Sequence, residues 1–136
     1  MTETSPVVAV LDDEPQMRKA LRRLLATHGF RVEAYESGND FLAALASHPA
    51  DCLVLDLHMP EVSGFDMLVA FESQHVAIPV VVITGHDEPG TSDRVRTLGA
   101  SAYLKKPVDE STLLSAIASA IAGDRAPQKG KASNER

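Results

Sequence analysis

The sequence predicts an alternating α/β fold built on a parallel, doubly wound sheet. Short, continuously apolar runs, which are typical of strands buried on both faces, alternate with longer segments that carry apolar residues at helical spacing. Glycine and proline separate these segments as stop signals. At 136 residues, with 44% hydrophobic and 24% charged residues, the chain has room for one domain with its own core.

Five strands are predicted, four from apolar runs and one, the second, from a shorter edge-like segment with polar interruptions. In chain order they are Val7–Leu11, Arg31–Tyr35, Cys52–Leu55, Pro79–Ile83 and Ala102–Leu104.

Five helices are predicted between and after the strands. They run from Pro15 to about His28, from Ser37 to near Pro49, from about Phe65 to Ser73, from about Glu88 to Leu98 and from Asp109 to about Ala122. Pro89 suits the first turn of the fourth helix, although Gly90 weakens it. The inward-facing residues are expected to include Met17, Ala20, Leu21, Leu24, Leu25, Phe41, Leu42, Leu45, Leu68, Val69, Leu113, Leu114, Ile117, Ala120 and Ile121. Right-handed crossovers would place helices on both faces of the sheet.

Composition narrows the classes of function. The net charge of -6 argues against a nucleic-acid surface, which normally carries a basic patch. Cys52 is the single cysteine and is predicted to be buried, so no internal disulfide can form and a reducing compartment is favoured. No signal-peptide pattern or bilayer-length apolar run is present, so we expect a cytoplasmic protein with no membrane partner.

Residues 1–122 are predicted to form the domain. Residues 123–136 are polar and lack apolar periodicity, which predicts a disordered tail or a linker cut short. Whether the chain is a stand-alone protein or a part of a longer one is left open.

Polar residues follow four of the predicted strands. In chain order these residues are Asp12, Asp13 and Glu14, then Asp56, then Thr84, and finally Lys105 and Lys106. In a doubly wound sheet, ligands bind beyond the carboxyl ends of the strands. We therefore expect these side chains to meet at one edge of the sheet.

The chemistry of this set points to phosphoryl transfer. The carboxylates of Asp12, Asp13 and Asp56 would repel one another unless a cation offset them, and Mg2+ accepts carboxylate and phosphate oxygens. An aspartate can attack phosphorus to give an acyl phosphate, while a lysine and the Thr84 hydroxyl would hold phosphoryl oxygens. Taken singly, these residues also fit a helix cap, a strand-end hydroxyl and a turn. Their joint occurrence at four strand ends favours the functional interpretation.

These residues resemble the receiver domain of two-component response regulators over about Val7 to Ala122. The matching segments are Asp12-Asp13, Leu55-Asp56-Leu57-His58-Met59-Pro60, Ser63-Gly64, Ile83-Thr84-Gly85, Gly99-Ala100 and Tyr103-Leu104-Lys105-Lys106-Pro107. Glu36-Ser37-Gly38, Phe41-Leu42 and Ile83-Thr84-Gly85-His86 look most like receivers of nitrogen-fixation regulators. The resemblance implies a flavodoxin-like (βα)5 fold with strand order 2-1-3-4-5.

The resemblance also implies roles for the site residues. Asp56 would be the phosphoacceptor, and Asp13 would bind Mg2+ (or Mn2+) directly. Asp12 would hold the metal mainly through water, and the backbone carbonyl of His58 would complete the protein ligands. Lys106, which directly precedes Pro107, would match the lysine of the family.

A switch with protein partners is implied as well. Thr84 would move toward the phosphoryl group and Tyr103 would rotate inward, changing the surface of the fourth helix, fifth strand and fifth helix. The expected partners are a sensor histidine kinase or histidine phosphotransfer protein and a downstream protein or output domain, with a phosphorylation-dependent homodimer as a further option. Such a receiver would catalyse only its own phosphorylation and dephosphorylation.

Two further features have alternative interpretations. His58 stands two residues after Asp56, and His86 stands two residues after Thr84. Either these histidines tune the lifetime of the phosphoryl group and make it pH-sensitive near neutrality, or they are simply exposed loop residues. A basic outer face on the first helix is either a solvated surface or a kinase-docking site, and its residues are Arg18, Lys19, Arg22 and Arg23.

Two other functions compete with the switch. A Mg2+-dependent phosphatase would usually carry a second aspartate where His58 stands, and its cap domain would not fit this length. A receiver-like module that binds partners without phosphorylation is disfavoured by the complete set of site residues.

Overall fold

Five parallel strands make up the sheet of the described chain, which in this computed structural model comprises residues 5–59 and 62–123. The strands are β1 Val7–Leu11, β2 Arg31–Tyr35, β3 Cys52–Asp56, β4 Val80–Thr84 and β5 Ala102–Lys105. They lie in the order β2-β1-β3-β4-β5, and every neighbouring pair is parallel. The predicted flavodoxin-like topology is confirmed.

Helices cover both faces of this sheet. They are α1 Pro15–Thr27, α2 Gly38–Ala44, α3 Gly64–Ser73, α4 Thr91–Thr97 and α5 Glu110–Ala122. One hydrophobic cluster joins α1 and α5 to the sheet, and a second joins α2, α3 and α4 to the opposite face. Within residues 5–59 and 62–123, no helix combines the length and the apolar character needed to cross a membrane.

The alternation of side chains along each strand explains this two-layered core. In β1, Val8 and Val10 pack toward α1 and α5, whereas Ala9 and Leu11 pack toward the other three helices. Successive side chains of a strand point to opposite faces, so a sheet covered on both sides requires an apolar residue at every position. All five positions of β1, of β3 and of β4 are accordingly buried.

Side-chain caps define three of the helix starts. Ser37 accepts a hydrogen bond at the start of α2, and Asp109 does so at the start of α5. Ser63 and Asp66 form a capping box at the start of α3. These caps satisfy backbone N–H groups that the first turn of a helix leaves without partners. The helix α5 ends at Ala122 with Gly123 as its C-cap, and the predicted tail lies, from residue 124, outside the described residues.

The fourth helix is shorter than predicted. Gly90 has a left-handed φ of 85° and precedes the first helical residue, Thr91, so Glu88 and Pro89 are not part of α4. A left-handed residue cannot continue a right-handed helix, and glycine adopts this conformation without steric cost. The second helix is also shorter, since α2 ends at Ala44 rather than near Pro49.

Two residues predicted to face the core are exposed. Val69 in α3 is 49% exposed, and Ala20 in α1 lies on the solvent side. In α3 the buried positions are Gly64, Met67, Leu68 and Phe71, which recur at helical spacing. Val69 lies off that stripe, so the prediction that it faces inward was wrong.

Candidate functional site

The carboxyl ends of β1, β3, β4 and β5 meet at one edge of the sheet. Asp56 is the last residue of β3 and Thr84 the last of β4, while Asp12 and Lys106 each follow directly after their strands. The parallel register aligns these ends, because Leu11 pairs with Leu55 and Asp56 pairs with Ile83. The buried polar side chains of the described residues are Asp12, Asp56 and Thr84, and all three lie here.

Three carboxylates form the centre of the site. Asp12, Asp13 and Asp56 each present an oxygen within 4.8 Å of the others, although only Asp13 is exposed. Burial raises the pKa of Asp56, the charge of Asp12 raises it further, and Lys106 opposes both effects. An all-oxygen donor set with excess negative charge fits a hard divalent cation such as Mg2+ or Mn2+.

Lys106 is the lysine that reaches the carboxylates. Its Nζ lies 3.3 Å from Oδ2 of Asp12 and 3.6 Å from Oδ1 of Asp56. The Nζ of Lys105 lies instead 3.5 Å from Oδ2 of Asp87, away from the acidic cluster. Successive residues at the end of a strand point to opposite sides, which separates the two ammonium groups.

The Thr84 hydroxyl is held beside the carboxylates by two histidine residues. Its Oγ1 donates to the carbonyl of His86 at 3.1 Å, accepts from the His86 N–H at 3.0 Å and lies 3.0 Å from Nδ1 of His58. The His58 N–H in turn donates to Oδ1 of Asp56 at 3.3 Å. Both histidines are exposed, yet their rings pack edge to face with centroids 4.8 Å apart. The two loops that carry them are therefore in contact at the mouth of the site.

The hydroxyl of Tyr103 binds a loop aspartate outside the acidic cluster. It donates a hydrogen bond of 2.7 Å to Oδ1 of Asp87, in the loop between β4 and α4. Burial, together with this carboxylate, raises the pKa of Tyr103 to about 12. Asp87 thus binds both Tyr103 and Lys105, and sequence reasoning missed it because an exposed loop aspartate shows no pattern.

Arg18 lies closer to the site than predicted. It was placed on the basic outer face of α1, yet its side chain is only 18% exposed and its Nη1 donates to the backbone carbonyl of Asp12 at 2.8 Å. Helical spacing could have revealed this, because Leu21 and Leu25, three and seven residues further on, are the buried positions of α1. Lys19, Arg22 and Arg23 are exposed as predicted.

Comparison with known proteins decides the family. The model of the response regulator receiver domain matches residues 8–118. This chain belongs to that family. Receiver domains of response regulators are signalling switches, and they typically bind Mg2+ at an acidic pocket. In this receiver, the three clustered aspartates form the corresponding acidic group.

Full-length relatives are longer than this receiver. It is 35% identical over 115 residues to the DNA-binding transcriptional regulator NtrC of Salmonella typhimurium, covering 85% of this chain and 24% of that protein. It is 33% identical over 114 residues to the transcriptional regulatory protein FixJ of Bradyrhizobium diazoefficiens, covering 84% of this chain and 56% of FixJ. The chain therefore spans from about a quarter to little more than half of these relatives.

Solved structures agree with the sequence matches. The crystal structure of FixJ-N superposes with a TM-score of 0.81 at 32% identity, covering 88% of this chain and 95% of that one. The crystal structure of a response regulator receiver domain protein from Clostridium thermocellum superposes with a TM-score of 0.80 at 28% identity, covering 87% of this chain and 95% of that one. The predicted likeness to nitrogen-fixation regulators is confirmed.

Proposed function

We propose that this receiver is a switch in which Asp56 accepts a phosphoryl group from a sensor histidine kinase or a histidine phosphotransfer protein. One observation carries the proposal. Asp56 is buried at the end of β3, and its carboxylate faces both a cluster of like charges and the ammonium group of Lys106. A buried, half-compensated carboxylate of this kind has few structural reasons to exist and suits covalent chemistry.

The transfer step uses the ionised form of Asp56. A carboxylate oxygen forms a bond to phosphorus while the bond between phosphorus and the donor breaks. The leaving group keeps the electron pair and takes a proton from solvent, and the product is an acyl phosphate. Lys106, with Nζ 3.6 Å from Oδ1, favours the ionised carboxylate and would hold a phosphoryl oxygen after transfer.

The acidic residues provide the metal ligands in this proposal. Asp13, Asp56 and the backbone carbonyl of His58 would bind Mg2+ (or Mn2+) directly, and Asp12 would do so mainly through water. When bound, the cation supplies positive charge that offsets the carboxylates and the incoming phosphoryl oxygens. The proposal is supported by the separation of the three carboxylates, which lie within 4.8 Å of one another.

Thr84 and Tyr103 would transmit the change. A phosphoryl group adds roughly -1.5 to -2 of charge and three strong acceptors, which compete with the His86 carbonyl for the Thr84 hydroxyl proton. Movement of Thr84 toward Asp56 would allow Tyr103 to leave Asp87 and turn inward. Phosphorylation would thereby shift the population between two states of the surface formed by α4, β5 and α5.

His58 and His86 would tune the lifetime of the phosphoryl group. Both contact the Thr84 hydroxyl, and their packed rings would limit the approach of water from that side. Replacing either by alanine is expected to change the decay rate of the phosphorylated protein, and unchanged decay in both variants would contradict this role.

The output would be a protein contact. We propose that residues 1–122 act as the receiver, with 123–136 as a tail or linker, and that the switched surface controls a downstream protein, an output domain or a second copy. The net charge of -6 supports a protein partner rather than direct contact with nucleic acid.

Labelling with a small phosphodonor tests the proposal. Wild-type protein incubated with Mg2+ and acetyl phosphate should gain the mass of one phosphoryl group, and Asp56→Asn should gain none. Asp93→Asn, the same substitution at an exposed position in α4, is the matched control and should be labelled like wild type. Labelling of Asp56→Asn would show that the acceptor is another residue.

The same assay separates the competing functions. If wild type remains unlabelled, a module that binds partners without phosphorylation is favoured. Sustained turnover of a phosphomonoester would instead indicate a phosphatase.

A further inference from the structure

Arg18 occupies an unusual place for a cationic residue of a surface helix. Its guanidinium turns back toward the loop between β1 and α1 and donates to the carbonyl of Asp12 at 2.8 Å. We propose that Arg18 is a positioning residue that fixes Asp12 in the orientation required for cation binding. This inference rests on the proposed function and adds to it a residue that never touches the cation or the phosphoryl group.

The contacts of Asp12 show what Arg18 would control. Asp12 is fully buried, and its backbone N–H donates to the Tyr35 carbonyl at 3.2 Å. One carboxylate oxygen accepts from the Glu14 N–H at 2.9 Å, and the other lies 3.3 Å from Nζ of Lys106. Arg18 supplies a charged donor to the carbonyl, and hydrogen bonds from charged groups are the stronger kind. With the peptide anchored on both sides, the direction of the carboxylate is set.

The start of α1 has no side-chain cap of its own. Glu14 precedes the helix without a side-chain cap, and no acidic residue stands in the first turn. The guanidinium of Arg18 therefore ties the helix to the strand end that delivers Asp12.

A second contact restrains the guanidinium itself. Nη2 of Arg18 lies 3.4 Å from Oε1 of Glu36, just after β2. Glu36 is 70% exposed, so this ion pair is expected to contribute little energy by itself. Its consequence is geometric, because the planar guanidinium is held by one partner while it donates to the other.

Cation affinity provides the first test, with Mn2+ as the probe and free Mn2+ measured by electron paramagnetic resonance. Removal of an outer partner of a metal ligand typically weakens binding by about 10-fold or more, which is the loss expected for Arg18→Met. Arg23→Met removes the same charge from an exposed position of α1 and should stay within about 2-fold of wild type. Arg18→Lys keeps the positive charge but lacks the paired donors of the guanidinium, so its Mn2+ affinity should lie between those of Arg18→Met and Arg23→Met.

A second readout needs no cation. The Glu14 amide donates to the Asp12 carboxylate, so its hydrogen exchange in the metal-free protein reports the orientation of that side chain. Exchange at Glu14 should accelerate in Arg18→Met and not in Arg23→Met, at a temperature where circular dichroism shows both variants to be folded. Acceleration confined to this loop separates positioning from general destabilisation.

Several results would overturn the inference. They are unchanged Mn2+ affinity in Arg18→Met, an equal loss in Arg23→Met, or complete recovery in Arg18→Lys, which would indicate a pure charge effect. If wild type binds no Mn2+, the proposed function fails instead, and the exchange rate at Glu14 alone decides whether Arg18 positions Asp12.

Discussion

Gly64 is the residue at which the fold should tolerate a methyl group least. It is the first residue of α3, and its N–H donates to the Leu57 carbonyl at 2.9 Å, which closes the loop after β3. A Cβ at this position would lie 2.7 Å from Cα of Leu57 and 2.9 Å from the carbonyl oxygen of Asp56. Both are backbone atoms and cannot rotate away, so the loop would have to move by roughly 0.7 Å in a close-packed region. We predict that Gly64→Ala destabilises the protein.

The size of the effect follows from the cost of overpacking. Forced backbone shifts typically cost about 1–3 kcal/mol, and we expect Gly64→Ala to lower the free energy of unfolding by about 2 kcal/mol. Gly38→Ala is the matched control, because Gly38 is likewise the first residue of a helix. Its new Cβ would meet Sδ of Met67 at 2.6 Å, and the flexible methionine side chain can move aside. Gly38→Ala should therefore lower the free energy of unfolding by no more than about 1 kcal/mol, the low end of the overpacking range.

Urea denaturation followed by circular dichroism measures both variants. If both variants lose the same free energy of unfolding, or if Gly38→Ala loses more, a clash with backbone atoms is not costlier than one with a flexible side chain, and the prediction is wrong. A second measurement links stability to the site. Because the clash includes the Asp56 carbonyl, folded Gly64→Ala should be labelled by acetyl phosphate more slowly than Gly38→Ala.

Four further predictions concern other residues. In the absence of divalent cations, Asp56→Asn should raise the free energy of unfolding, because it removes a buried charge beside Asp12. Mg2+ should narrow the difference between the variant and wild type, because it binds the native wild-type site. Urea titrations in EDTA and in Mg2+ measure both effects, and a variant that is less stable than wild type in EDTA would contradict the prediction. Burial raises the pKa of Cys52 to about 12, so a thiol reagent should modify it only when urea unfolds the chain, and stoichiometric reaction of the native protein would count against this. Ser63→Ala should lower the free energy of unfolding, measured by urea titration, by about 1 kcal/mol because it removes the side-chain cap of α3, whereas Ser63→Thr should retain most of the stability that the cap provides. Hydrogen bonds from Thr112 and Ser111 lower the pKa of Asp109 at the start of α5. Its contribution to stability is therefore present above about pH 4 and is lost as the pH falls through the lowered pKa. Asp109→Asn should lose this pH dependence of stability, which urea titrations over the same pH range measure.

The convergence of the site residues could be predicted because it follows from topology. Once the strands are parallel, the residues after β1, β3, β4 and β5 must meet at one edge, whatever the details of packing. For this reason Asp12, Asp56 and Thr84 were found from strand positions alone. The choice between Lys105 and Lys106 could not be made in this way, since it depends on which side of the strand end each ammonium group occupies.

The remaining errors have a common physical origin. Nearly every position from Phe65 to Phe71 is apolar, so the pattern did not define which face of α3 is buried, and Val69 was assigned wrongly. Asp87 was missed because its contacts join an exposed loop side chain to Tyr103 and Lys105, which lie far along the chain. Such contacts depend on three-dimensional placement, which hydrophobic periodicity does not encode.

The strand order also determines how the chain behaves when it opens. Three strands, β1, β3 and β4, are buried throughout and mostly apolar, and such segments can pair with copies of themselves to form aggregates. The order β2-β1-β3-β4-β5 places all three in the interior of the sheet, while the edge strands carry the exposed charges of Arg31 and Lys105. The native sheet therefore resists edge-to-edge association. Thermal unfolding would expose these three aggregation-prone strands at once, so it should be irreversible and should depend on protein concentration.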